Sequence, residues 1–353
     1  MLLMYTHDSH GCVCPIRWCE RRWCTVCLIA LSEIGCITPF LRLTMYVHIP
    51  VRSATLLFTF ALLSDAADWC YESSGSACVY DVAHWAEHYQ HCGGKSQSPI
   101  NIDTNSINVN TSLHNFVFEG YDEILSDVHM VNNGHTVQVL LNGKNLSVRG
   151  GGLDGEYVAD QFHLHWGNET APGSEHQLNN IQLPMELHIV HHKASYGDIQ
   201  DALTKPDGLA VLGFWIDVGK RNTNYDEIVN ELQEITHKDE NTTIPILKMA
   251  DLLPSNCELQ NYYRYHGSLT TPKCQEVVIW TIFETKINLS QEQINRFSTT
   301  LMTEGNISLT NIFRPVQPVN SRSVQYSQGQ TLLLKGTIAL FTCALTCFIM
   351  MAF

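Results

Sequence analysis

The stretch Gln161-Phe162-His163-Leu164-His165-Trp166 decides how this chain is read, because apolar and polar residues alternate along it and one leucine separates its two histidines. On a β-strand that spacing projects both imidazoles from one face, about 6.5 Å apart along the chain. The stretch Met185-Glu186-Leu187-His188-Ile189-Val190 repeats the alternation, with Glu186, His188 and Val190 on one face and Leu187 and Ile189 on the other. Three imidazoles brought together this way make a candidate open metal site: zinc takes four ligands, and three protein donors leave one place for water. Alone, a His-x-His pair or a single third histidine is as readily a packing feature, and with 17 histidines in the chain only spacing singles these out.

Outward from these strands, Thr136 to Leu141 and Val277 to Phe283 show the same period-two pattern between Gly, Asn and Pro turns, and Tyr225 to Ile235 is the best helical candidate. The body therefore reads as mainly β with short helices. At 353 residues and 44 % hydrophobic content, one β-rich domain with flanking segments is the simplest division. A net charge of −14 without a basic stripe argues against nucleic acid, since neutralising phosphates needs clustered Lys and Arg.

Residues 45–66 read as a secretory signal: Arg52 supplies positive charge, Ala54 to Leu63 is apolar but short, and Ser64-Asp65-Ala66 resembles a cleavage site. A buried core helix is the alternative. Residues 1–44 form an upstream extension of unassigned role, and their cysteines show no paired metal-binding frame. At the other end Ile338 to Phe353 is apolar, with Lys335 before it and a polar stretch containing Ser321 and Ser323 further upstream. That order resembles a GPI-attachment signal over residues 321–353, with attachment expected at Ser321 or Ser323 and removal of the tail; a terminal membrane-spanning helix is the alternative. Six sequons, at Asn110, Asn145, Asn168, Asn241, Asn288 and Asn306, reinforce an extracellular destination, on the outer face of the plasma membrane.

The motifs FHLHWG, GSEH, MELHIVH, GSLTTP, NNGH, QSPINI and FRPVQP together resemble the alpha-class carbonic anhydrases, from about Trp69 to Pro318, and most closely their membrane-anchored branch. The resemblance implies a catalytic domain over residues 67–320, built on a twisted, mostly antiparallel sheet of about ten strands. It implies zinc as cofactor and the reversible hydration of CO2 by water to bicarbonate and a proton, the reaction of a hydro-lyase.

By the same resemblance His163, His165 and His188 are the zinc ligands, while Gln161 and Glu186 orient the ligand imidazoles. Thr270 accepts a hydrogen bond from the zinc-activated nucleophile and Glu175 accepts from Thr270; a carboxylate can only accept, so it fixes that direction. Val190, Val211, Leu269 and Trp280 form the apolar wall for CO2, with Thr271 beside them, and Thr136 and Gln138 line the mouth. His135 is the proton shuttle, suited to it by an ordinary imidazole pKa near 6.5. His191 and His192 are expected to be structural or at the rim. Of the 13 cysteines, Cys70 is expected to pair with Cys78 and Cys92 with Cys274, leaving Cys257 over. One departure is Ile312, where the family usually has Asn; its backbone carbonyl is the group the family uses. The rival reading is a non-catalytic binding module of the same fold, against which stand all three histidines together with Thr270 and Glu175.

Overall fold

The computed structural model describes residues 69–71, 78 and 80–327. The signal segment, the upstream extension and the apolar tail expected above lie outside these residues. A 12-stranded sheet organises the domain. From one end its main path runs Asn241–Leu247, Leu125–Asn132, Val137–Leu140, Tyr157–Trp166, Met185–Lys193, Leu209–Val218, Val278–Leu289, Tyr262–Gly267, Gln325–Tyr326 and Asn108–Val109. Phe116–Glu119 and Ser147–Gly150 pair off this path. Most neighbours are antiparallel; Leu209–Val218 against Val278–Leu289 and Gln325–Tyr326 against Asn108–Val109 are parallel.

The alternation in the histidine strands sorts the core onto two faces. Phe162, Leu164, Leu187, Ile189, Leu212 and Phe214 join one buried cluster, while Val190, Val211, Trp215, Trp280 and Ile282 join the other. The histidine-bearing face is thus the face of the second cluster, and the first anchors the same strands from behind.

The segment 225–235 is not one helix: a 3-10 turn over Thr223–Tyr225, an α-helix over Asp226–Glu231 and a 3-10 turn over Leu232–Ile235 follow one another. The longest helix among the described residues is Gln291–Thr300. Its start was encoded: Ser290 accepts from the Gln293 N–H while the Gln293 side chain accepts from the Ser290 N–H, a capping box.

Cys70 pairs with Cys78 and Cys92 with Cys274, and Cys257 is free and exposed. The second link closes a sequence separation of 182 residues, which in the chain-entropy limit removes about 5 kcal/mol of freedom from the unfolded chain. It also ties the amino-terminal region to the loop that carries Thr270.

Candidate metal centre

Tyr157–Trp166 and Met185–Lys193 pair antiparallel with His163 directly opposite His188 and His165 opposite Glu186. Donor nitrogens of His163, His165 and His188 lie within 4.8 Å of one another. His165 and His188 are buried and His163 is partly open, so the cluster has one accessible side. Space beside His188 depends on Gly213, its neighbour on the next strand: a Cβ there would stand 2.5 Å from Ile282 Cδ1 and 3.4 Å from Glu186 Oε1.

Each ring is turned by an acceptor on its other nitrogen. Gln161 Oε1 lies 2.9 Å from His163 Nδ1, the Ile312 carbonyl oxygen 2.8 Å from His165 Nδ1, and Glu186 Oε1 2.7 Å from His188 Nε2. None of these oxygens can donate, so the three facing nitrogens carry the protons, and His163 Nε2, His165 Nε2 and His188 Nδ1 carry the lone pairs. Ile312 keeps this contact despite its apolar side chain, because the contact is made by the backbone. Burial lowers the pKa of all three histidines, His165 to about 3, which favours the neutral, ligating form.

A carboxylate stands beside the cluster. Glu175 Oε2 lies 3.4 Å from His165 Nε2 and 3.9 Å from His188 Nδ1, and neither Glu175 Oε2 nor His165 Nε2 has a hydrogen-bond partner among the described residues. The buried His165 Nε2 lone pair, with no donor to meet it, is costly unless a cation does. The three-nitrogen donor set and its orphaned atoms therefore fit zinc. A second group, His176, Glu186 and His188, also lies close enough to hold an ion, but its atoms are already engaged. His176 Nδ1 is 2.6 Å from Glu186 Oε1, its Nε2 is 2.6 Å from the Tyr265 hydroxyl, and its backbone N–H donates to Glu186 Oε2 at 2.8 Å. Burial alone would raise the Glu186 pKa; His176 and His188 outweigh it and hold the carboxyl well below the ordinary range.

Glu175 is fixed from the far end of the chain. The Arg314 backbone N–H donates to its Oε1 at 2.8 Å, while the guanidinium donates to Gln97 Oε1 and to the carbonyls of Ser98 and Cys92. Burial raises the Glu175 pKa well above the ordinary range, opposed by the neighbouring Thr270 side chain and by Arg314. The loop under Thr270 is stitched down: the Ser268 N–H donates to Ser98 Oγ, the Ser98 N–H to Ser268 Oγ, and Trp280 Nε1 to the Ser268 carbonyl, all at 3.0 Å.

Val190, Val211 and Trp280 form one row across three adjacent strands, each opposite the next, and all are buried; Leu269 packs against their cluster. The next row holds His188. Thr271, beyond Thr270, accepts from the Cys274 N–H at 2.8 Å through its carbonyl, which makes it part of the loop's bracing. Thr136 is buried with its hydroxyl donating to the Leu164 carbonyl, and Gln138 sits opposite His163.

His135 is half-buried and stacks on Trp69, ring centroids 3.8 Å apart and planes 10° from parallel. Burial, and then the charge of Lys238, lower its pKa to about 4. Lys238 is held over the Gly134 turn by an ion pair with Glu304 at 3.1 Å. His191 and His192 follow a register shift after Val190 and turn to other partners: His191 Nε2 lies 2.7 Å from the Tyr121 hydroxyl, and His192 Nδ1 contacts the Asp160 carboxylate. The sequence alone assigns no role to Arg314, Trp69 or the chain His176, Tyr265 and Ser98. The motifs GSEH, QSPINI and FRPVQP contain most of them, but partners such as Ser98 and Arg314 meet only in the fold.

A family model described as eukaryotic-type carbonic anhydrase matches residues 80–328. Carbonic anhydrase 6 of Homo sapiens is 38 % identical over 284 residues, covering 78 % of this chain and 89 % of that protein. Carbonic anhydrase 4 of Oryctolagus cuniculus is 40 % identical over 282 residues, covering 77 % and 88 %, and carbonic anhydrase 15 of Mus musculus is 37 % identical over 278 residues, covering 76 % and 85 %.

Proposed function

The chain belongs to the eukaryotic-type carbonic anhydrases, lyases that hydrate CO2, and from that premise we propose how its own residues carry the reaction and where it acts. His163 Nε2, His165 Nε2 and His188 Nδ1 hold zinc. When bound, zinc supplies the Lewis acidity that makes water a nucleophile near neutral pH, a property for which carbonic anhydrase is itself the reference case. The observation that carries the reading is the proton assignment of the three rings, each with its lone pair turned inward by a fixed acceptor.

Glu175, anchored by the Arg314 N–H, accepts from the Thr270 hydroxyl, so the Thr270 oxygen presents its lone pair to the nucleophile and orients it. Val190, Val211, Leu269 and Trp280 offer CO2 an apolar surface that competes with no hydrogen bond and keeps water sparse beside the nucleophile. Hydration of metal-free and zinc-reloaded protein, followed by stopped flow, tests the assignment: activity should follow zinc.

His135 carries the proton out. Stacked on Trp69 its imidazole is neutral but too weakly basic to take a proton, not the ordinary imidazole expected from sequence, and departure from the stack into solvent restores the basicity that shuttling needs. His135→Ala should slow steady-state turnover in dilute buffer by about tenfold to a hundredfold while leaving CO2/bicarbonate exchange at equilibrium intact, with rescue by added imidazole. An unchanged rate in dilute buffer would assign the proton to another group.

The enzyme acts outside the cell, held to the outer leaflet by a glycolipid anchor. Among the described residues no helix is long and apolar enough to cross a membrane. The apolar run 338–353 and the segment 45–66 support membrane attachment and secretion. Asn145, Asn168, Asn241, Asn288 and Asn306 are exposed, positions at which glycans would meet no packed core; Asn110 is partly exposed, its side-chain amide donating to Gln325 Oε1 at 2.8 Å.

A further inference from the structure

The last described residues are part of the sheet. Gln325 and Tyr326 pair antiparallel with Arg264 and Tyr263 on one side and parallel with Asn108 and Val109 on the other. Val324 is buried in the cluster that contains the CO2 wall. Ser327 is fully buried: its N–H donates to the Tyr262 carbonyl at 3.0 Å, its hydroxyl accepts from the Tyr262 N–H at 2.8 Å and donates to the Gln260 carbonyl at 2.8 Å. The family match likewise continues to residue 328.

Anchor transfer at Ser321 or Ser323 would cut all of this away. The Tyr262–Gly267 strand, which leads directly into Ser268 and Thr270, would lose its outer neighbour, and Asn108–Val109 would lose its only partner strand among the described residues. Each buried backbone group left unpaired costs about 1–3 kcal/mol, so the mature domain needs the chain through Ser327.

Resting on the anchor reading above, we propose that Ser327 is the residue to which the anchor is joined. It is a small residue, with Gly329 two positions further on and the larger Gln328 between them; residues 330–337, which include three leucines and Lys335, then separate it from the apolar tail 338–353, an order close to that of such a signal. In the transfer the Ser327–Gln328 amide bond breaks and the Ser327 carbonyl carbon forms an amide with the primary amine of a phosphoethanolamine-bearing glycolipid. A proton from that amine passes to the Gln328 nitrogen, and residues 328–353 leave as a peptide. The three hydrogen bonds of Ser327 use its N–H and hydroxyl, so they survive the new bond on its carbonyl carbon.

The test uses the full chain on expressing cells, treated with a phosphatidylinositol-specific phospholipase, and mass spectrometry of the carboxy-terminal peptide of the released enzyme. Trypsin cuts after Arg322, so the expected peptide runs from Ser323 to Ser327 and carries the phosphoethanolamine glycan remnant. That remnant on Ser321, Ser323 or any residue other than Ser327 overturns the proposal and leaves the anchor reading standing. Protein that stays cell-bound and yields unmodified peptides from residues 338–353 overturns the anchor reading itself.

Discussion

His188→Ala should lose zinc and CO2 hydration together. The side chain is 1 % exposed, and its Nδ1 is one of three lone pairs that meet in the centre. Two imidazoles hold zinc poorly against water, and loss of a ligand should cost more than the about 10–100-fold in affinity typical of losing an outer partner. Removal also leaves Glu186 Oε1 with His176 alone, so part of the effect is a buried carboxylate deprived of a donor. His191→Ala is the control: it truncates a buried imidazole three residues along the same strand, bonded to the Tyr121 hydroxyl and the Ala210 carbonyl, and should soften the fold yet keep zinc. Metal analysis with thermal unfolding separates the two. Stoichiometric zinc and normal turnover in folded His188→Ala would remove His188 from the ligand set.

Thr270→Ala should keep zinc and lose about a hundredfold in kcat/KM, about 2.7 kcal/mol of transition-state stabilisation, the scale on which one preorganised hydrogen-bonding group acts. Thr270 lies outside the imidazole cluster, and its loop is held by Ser98, Gln275 and the Cys92–Cys274 link without its hydroxyl. What the variant loses is direction: Glu175 can no longer fix the orientation of a hydroxyl beside the nucleophile. Glu175→Gln should fall in the same sense, because an amide can donate as well as accept and no longer dictates which way Thr270 points. Unaltered kcat/KM in folded, zinc-loaded Thr270→Ala would show that the orienting group lies elsewhere.

The sequence made the histidine cluster legible because strand alternation is a local rule. His163 and His165 share a face through their spacing, His188 and Glu186 share theirs for the same reason, and pairing of the two strands brings them together. The apolar row was partly legible: Val190 follows from alternation, but its alignment with Val211 and Trp280 depends on register, which local pattern does not set. Arg314 holding Glu175 and Trp69 stacking on His135 were not legible, since each contact joins distant segments and neither residue type announces it. The strand Gln325–Tyr326 is not legible in the sequence for a related reason. Two residues are too short for periodicity, and only their partners Tyr263 and Asn108 place them in the sheet.

The most direct measurement is CO2 hydration as a function of zinc added back to chelated protein, with bound zinc determined on the same samples. Three neutral imidazoles forming one site predict that activity rises linearly with zinc and breaks at one equivalent per chain. Full activity in metal-free protein, or activity that climbs only beyond one bound zinc, would contradict a single centre built from His163, His165 and His188.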